Sequence, residues 1–175
     1  MPIIRQTPQV PPAERVQTTY KQLSQAAANL NRASDELGKA MSLLDAALKK
    51  LHLGVSTWVT LASNEDQTGC WWTRDVGYAK VGDKWGIALR KAAGDGGNPD
   101  YDTEEKWLFN DGPRWMRAEG SKKVPELLEA LLKEAQNTTK LFKDRSTLVY
   151  ELATAVDKVA SEAQPAEEGT NVSPA

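Results

Sequence analysis

Between Pro12 and Leu53 the apolar residues return after four and then three positions, and this seam limits what the chain can fold into more than any other feature. One row holds Val16, Leu23, Leu30, Leu37, Leu44 and Leu51. The other holds Tyr20, Ala27, Met41 and Leu48, with Ser34 in its one polar slot. A 3.5-residue repeat kept up over this length is the pattern of a helix packed lengthwise against another helix. Beside the leucines runs a file of small residues, Ala26, Ala33, Ala40 and Ala47, which widens the stripe and admits a close neighbour. Pro11, Pro12 and Glu14 suit a first turn, Lys49, Lys50 and His52 suit the negative end of the dipole, and Gly54 suits a left-handed cap. A helix is predicted over 12–53, and His52, as a helix-terminal residue, receives no site role.

The same spacing returns from Val124 through Leu128, Leu131, Ala135, Thr138, Phe142 and Arg145 to Val159. Pro125 with Glu126 and Glu129 marks a helix start, because a first-turn proline loses no intrahelical bond and acidic residues favour the positive end. A second helix is predicted over 124–162. The seams Val16 to Leu51 and Val124 to Val159 each cover 36 residues, about 54 Å of helix. Equal length predicts antiparallel pairing. Thr138 and Arg145 interrupt the second seam and read as polar groups that reach solvent along their stems. A flank of Leu127, Leu141, Leu148 and Ala155 adds more apolar width than a two-stranded pair consumes. A third surface is therefore expected, either the β segment folding back or a second copy of the chain.

Residues 55–61 are β-branched and alternating, and a polar loop over 63–69 leads to a second strand from Cys70. Gly82-Asp83 suits a two-residue hairpin turn. That turn pairs Lys80 with Trp85, Tyr78 with Ile87 and Val76 with Leu89 on a large apolar face. The opposite face pairs Ala79 with Gly86, Gly77 with Ala88 and Asp75 with Arg90. This smooth patch is expected to receive a helix of the same domain, or else a partner protein. Residues 91–101 read as a Gly- and Asp-rich loop, 106–109 as a short strand and 113–121 as a short helix after Pro113. Counting from Asn98, an EF-hand would need glycine where Thr103 stands and glutamate where Phe109 stands, so the aspartates there form an acidic hairpin and no calcium loop.

The fold class implied is α+β: two long antiparallel heptad-patterned helices flanking a small Trp-rich antiparallel β-sheet inserted between them. One domain spans 12–163, with its β segment at 55–110, a flexible arm at 1–11 and a disordered tail at 164–175. In element order alone this layout is similar to prefoldin subunits, co-chaperones with long helical hairpins and a β hub; the likeness rests on no residue motif. It implies a hairpin of the two helices.

All six tryptophans lie between Trp58 and Trp115. A small sheet has little material for a core, so most of them are expected to be that core. The functional reading is a surface of aromatic faces and cations formed by Trp71, Trp72, Tyr78, Lys80, Trp85, Arg90 and Arg114. Adjacent strand residues point to opposite faces, so Trp71 and Trp72 cannot both enter one core. Leu23, Ala26, Leu30, Ala33, Leu37, Ala40 and Leu44 form the candidate oligomer interface.

Composition removes several function classes. With a net charge of −2 there is no broad basic field, and nucleic-acid binding is disfavoured. Cys70 is the lone cysteine, so no thiolate zinc site or redox pair is expected, nor any metal or cofactor. No nucleophile motif, paired carboxylate constellation or phosphate loop is present, and the protein is expected not to be an enzyme. No apolar run suits a signal or a membrane span, and a cytoplasmic location is expected. These readings converge on a non-enzymatic interaction or assembly protein that oligomerises through its helices, with a dimer favoured, and presents a β tip to a partner. The alternative is a module that binds a glycan, peptide or single-stranded nucleic acid on the tryptophan segment.

Overall fold

The computed structural model describes residues 11–162. The arm expected at 1–11 lies outside them apart from Pro11, and so does the tail at 164–175. The elements in chain order are α1 (Pro12–Lys49), β1 (Thr57–Glu65), β2 (Cys70–Val81), β3 (Lys84–Asp95), β4 (Asn98–Leu108), a 3-10 turn (Phe109–Asp111), α2 (Arg114–Ser121) and α3 (Val124–Glu162). The chain is mixed helix and sheet, and its four strands form one antiparallel meander in the order β1-β2-β3-β4.

The β2–β3 register is the one the Gly82-Asp83 turn dictates: Lys80 pairs with Trp85, Tyr78 with Ile87 and Val76 with Leu89. Gly82 has φ +58°, the left-handed backbone such a turn requires. The segment read as a loop over 91–101 is instead strand. β3 runs on to Asp95, Gly96 and Gly97 make a second tight turn, and β4 returns from Asn98. Composition misleads there because the small residues Ala92, Ala93 and Gly94 pair with Thr73, Trp72 and Trp71, whose side chains supply the bulk. The polar side chains hold the turn, since Asp95 accepts from the Gly97 amide at 2.9 Å and Asn98 from the Asp100 amide at 3.1 Å.

α1 stops at Lys49, four residues short of the predicted end. The chain enters left-handed backbone first at His52 (φ +48°) and again at Gly54 (φ +63°). α3 starts at Val124 as predicted and runs to Glu162, the last described residue, and the stretch 113–121 is a helix, with Pro113 preceding its first turn.

The core gathers on one face of the sheet, where Val76, Tyr78, Ile87 and Leu89 meet Met41 and Leu48 of α1, Met116 of α2, and Leu127 and Leu131 of α3. All three helices therefore share that face, and the long helices do not flank the sheet as expected. Among the described residues α1 and α3 form no helix–helix interface: α1 packs on β3 and the 3-10 turn, and α3 on β1 and β2. The predicted antiparallel pairing, and the hairpin implied by the prefoldin-like layout, are absent among the described residues. The physical reason is that the sheet takes the apolar faces at the C-terminal half of α1 and the N-terminal end of α3, each over a different strip of strands.

On the smooth opposite face α1 reaches the Gly86 end, where a Cβ would come within 3.0 Å of the Asp45 carboxylate. Trp58 of β1 pairs with Gly77 and lays its ring across it, so that a Cβ at Gly77 would overlap the indole and the Thr57 carbonyl. Large side chains beside glycine in a neighbouring strand are a known way to cover bare sheet.

Candidate functional site

The residues expected to form one aromatic surface are dispersed. Tyr78 is buried and stacks on Trp85 with ring centroids 5.8 Å apart and planes 26° from parallel. Burial pushes the Tyr78 hydroxyl above its ordinary pKa, and the neighbouring Asp45 carboxylate adds to the effect. Lys80 is exposed. Trp71 and Trp72 are both half-buried and, as neighbours in β2, point to opposite faces.

The arginines are already engaged. Arg74, absent from the predicted set, lies 4.6 Å from the Trp72 ring and 5.1 Å from that of Trp115, a cation between two indoles of β2 and α2, with Glu119 at 3.8 Å. On the other face Arg90 lies 4.5 Å from the Trp58 ring. Its Nε donates at 3.0 Å to Asp75, a carboxylate only 2% exposed that also accepts from Thr60 (2.9 Å) and Thr73 (3.2 Å). These contacts fasten strand to strand and strand to α2, and each sets a guanidinium over one face of an indole ring. The register in the sequence places Asp75 opposite Arg90, whereas Trp58 as the ring over Arg90 has no sequence signal.

A polar latch joins the helices at the base of α1. Asn110 donates through Nδ2 to the Gly38 carbonyl (3.2 Å) and to Ser42 Oγ (2.9 Å). Arg114 donates to Asn31 Oδ1 at 3.0 Å, and Arg117 donates to Ser34 Oγ at 2.7 Å. Ser34, the polar slot in the seam, is thus the docking point of α2. The Arg117 Nε is buried without a partner.

Beyond that latch the helices leave the body of the protein. Every residue of α1 from Pro12 to Ala33, and every residue of α3 from Thr139 to Glu162, is exposed. Their seams are exposed with them: Leu23 is 63% and Leu30 54% exposed on α1, and Phe142 is 68% exposed on α3. Of the candidate oligomer interface, Leu23, Ala26, Leu30 and Ala33 lie on the free arm and Ala40 is exposed lower down. Leu37 and Leu44 are half-buried against the sheet's core.

Among the described residues no cluster of three His, Cys, Asp or Glu side chains could hold a metal ion, and no helix is long and apolar enough to cross a membrane. No protein-family model matches the chain, and no curated protein or solved structure matches it.

Proposed function

We propose that this chain is a non-enzymatic assembly protein that oligomerises through α1 and α3 and carries the tryptophan sheet as a rigid head for a protein partner. The observation that supports it is the pair of exposed arms, each with a continuous apolar stripe. Val16, Tyr20, Leu23 and Leu30 on α1, and Phe142, Val149, Leu152 and Val156 on α3, are all more than half exposed in the single chain. Contiguous apolar surface on this scale marks an interaction site. An isolated helix in water is moreover marginal without a packed face. A ligand-binding role for the tryptophan segment draws less support, because Arg74 and Arg90 lie on the rings of Trp72, Trp115 and Trp58.

Sedimentation velocity of the full chain at micromolar concentration tests the proposal. The chain is expected to self-associate, and the double variant Leu23→Glu with Leu30→Glu to sediment as a monomer with an unchanged near-UV tryptophan spectrum. A wild-type chain that stays monomeric across the micromolar range would sink the reading.

A further inference from the structure

We infer that the free arm of α1 is covered by the free arm of α3 from a second copy of this chain, in antiparallel register with residue numbers summing to 172. This rests on the assembly reading and specifies its interface. In that register Val16 meets Val156, Tyr20 meets Leu152, Leu23 meets Val149 and Leu30 meets Phe142. The first seam row of each helix opposes the second row of the other, as an antiparallel pair requires. The polar position Arg145 falls opposite Ala27, where a small residue leaves its stem room to run outward.

The flanks fit in the same register. On α1 the row beside the seam is Ala26 and Ala33, and on α3 the corresponding row is Leu148 and Leu141. These rows face each other, so alanine receives leucine along the length of the arm, a small surface against a large one. On the other flank Ser24 meets Ser146 and Asn31 meets Thr139, which leaves that side polar. Two identical α1 arms would instead set alanine against alanine, and two α3 arms leucine against leucine.

Area and continuity point to a second copy as the occupant. The accessible surface is 14042 Å² for a 19.2 kDa chain, against about 8,400 Å² for a compact chain of that mass. Residues 1–10 and 163–175, even at the area of a fully extended chain, leave roughly 2,100 Å² of that excess. A dimer with two such arm pairs can bury an area in the range of permanent homodimers, and two-fold symmetry closes it, since each copy contributes one α1 and one α3. The seam on α1 is also continuous with the row that already packs on the sheet through Leu37, Met41 and Leu44. Within one chain the same register would need to zip upward from Ser34 against Thr138. That point is blocked, because Ser34 is buried under α2 and accepts the hydrogen bond of Arg117.

Cross-linking in a Cys70→Ser background tests this, with a short bis-maleimide and sedimentation of the same samples. Chains carrying only Leu23→Cys are mixed and co-refolded with chains carrying only Val149→Cys, and a covalent heterodimer is expected. Tyr20→Cys with Leu152→Cys should link likewise, whereas Leu23→Cys with Val159→Cys, nearly three turns out of register, should not. Overturning results are links between two Leu23→Cys copies, efficient linking of the out-of-register pair, or an intrachain link in the Leu23→Cys/Val149→Cys double variant. An oligomer that links only Leu23→Cys to Leu23→Cys would defeat this pairing and leave the assembly reading standing. A monomer with no interchain link would defeat both.

Discussion

At the scale of single residues the sheet is held by contacts that make its two faces unlike. On one, Tyr78 stacks on Trp85 within the core. On the other, Trp58 covers Gly77 and Arg90 bridges Trp58 to the buried Asp75. The Gly77 position is the most exacting of these, because even one added carbon meets the indole and a backbone carbonyl that cannot move independently. Gly77→Ala is expected to destabilise the protein by about 2 kcal/mol, the ordinary cost of overpacking, read by urea unfolding. Combining it with Trp58→Leu should recover part of that loss, as expected for two residues in direct contact. A change within about 0.5 kcal/mol, the range of a neutral surface substitution, would mean that the ring does not lie there. The pairing of Asp75 with Arg90 was legible from the turn, because a two-residue loop transmits its register along both strands. The cover on Gly77 was not, because β1 joins β2 through a longer loop and its register shifts between Thr60 and Ala62.

At the scale of elements, periodicity located both long helices, and the start of α3 could be read from Pro125 and its acidic first turn. Periodicity is silent on what a stripe packs against. The seam of α1 is uniform from Val16 to Leu51, yet the sheet takes its lower half and leaves the upper half bare. Similarly the end of β3 and the start of β4 were hidden in a stretch rich in glycine and aspartate, since the bulk that makes it a sheet comes from Trp71 and Trp72 across the ladder. Ser34 separates the two views of α1. If the helix were simply half of a leucine-lined pair, Ser34→Leu would fill the polar slot and stabilise it. Here Ser34 is the acceptor for Arg117, whose Nε is already buried without a partner. Ser34→Leu is therefore expected to destabilise by about 1–3 kcal/mol, the cost of leaving a buried donor unsatisfied, as measured by urea unfolding. A gain in stability would mean that α2 does not dock on α1 through this contact.

At the scale of the whole molecule, the sheet with its three helix segments is a small body from which two bare helices project. The body has a buried core of its own, whereas the arms have helical backbone and no packed face. In such a molecule the stability of the arms is set by mass action, because a partner that binds only the folded form adds stability in proportion to the logarithm of its concentration. Backbone amides of α1 from Val16 to Leu30 and of α3 from Phe142 to Val159 should be strongly protected from hydrogen exchange at high protein concentration. They should lose that protection on dilution, while amides of β2 and β3 around Val76 and Leu89 keep theirs. Thermal unfolding should move in the same sense, by about 2 °C per tenfold change in concentration for a dimer of this chain length. The Leu23→Glu/Leu30→Glu variant should melt at a temperature independent of concentration. If the wild-type arms exchange at one rate at every concentration, no second copy covers them.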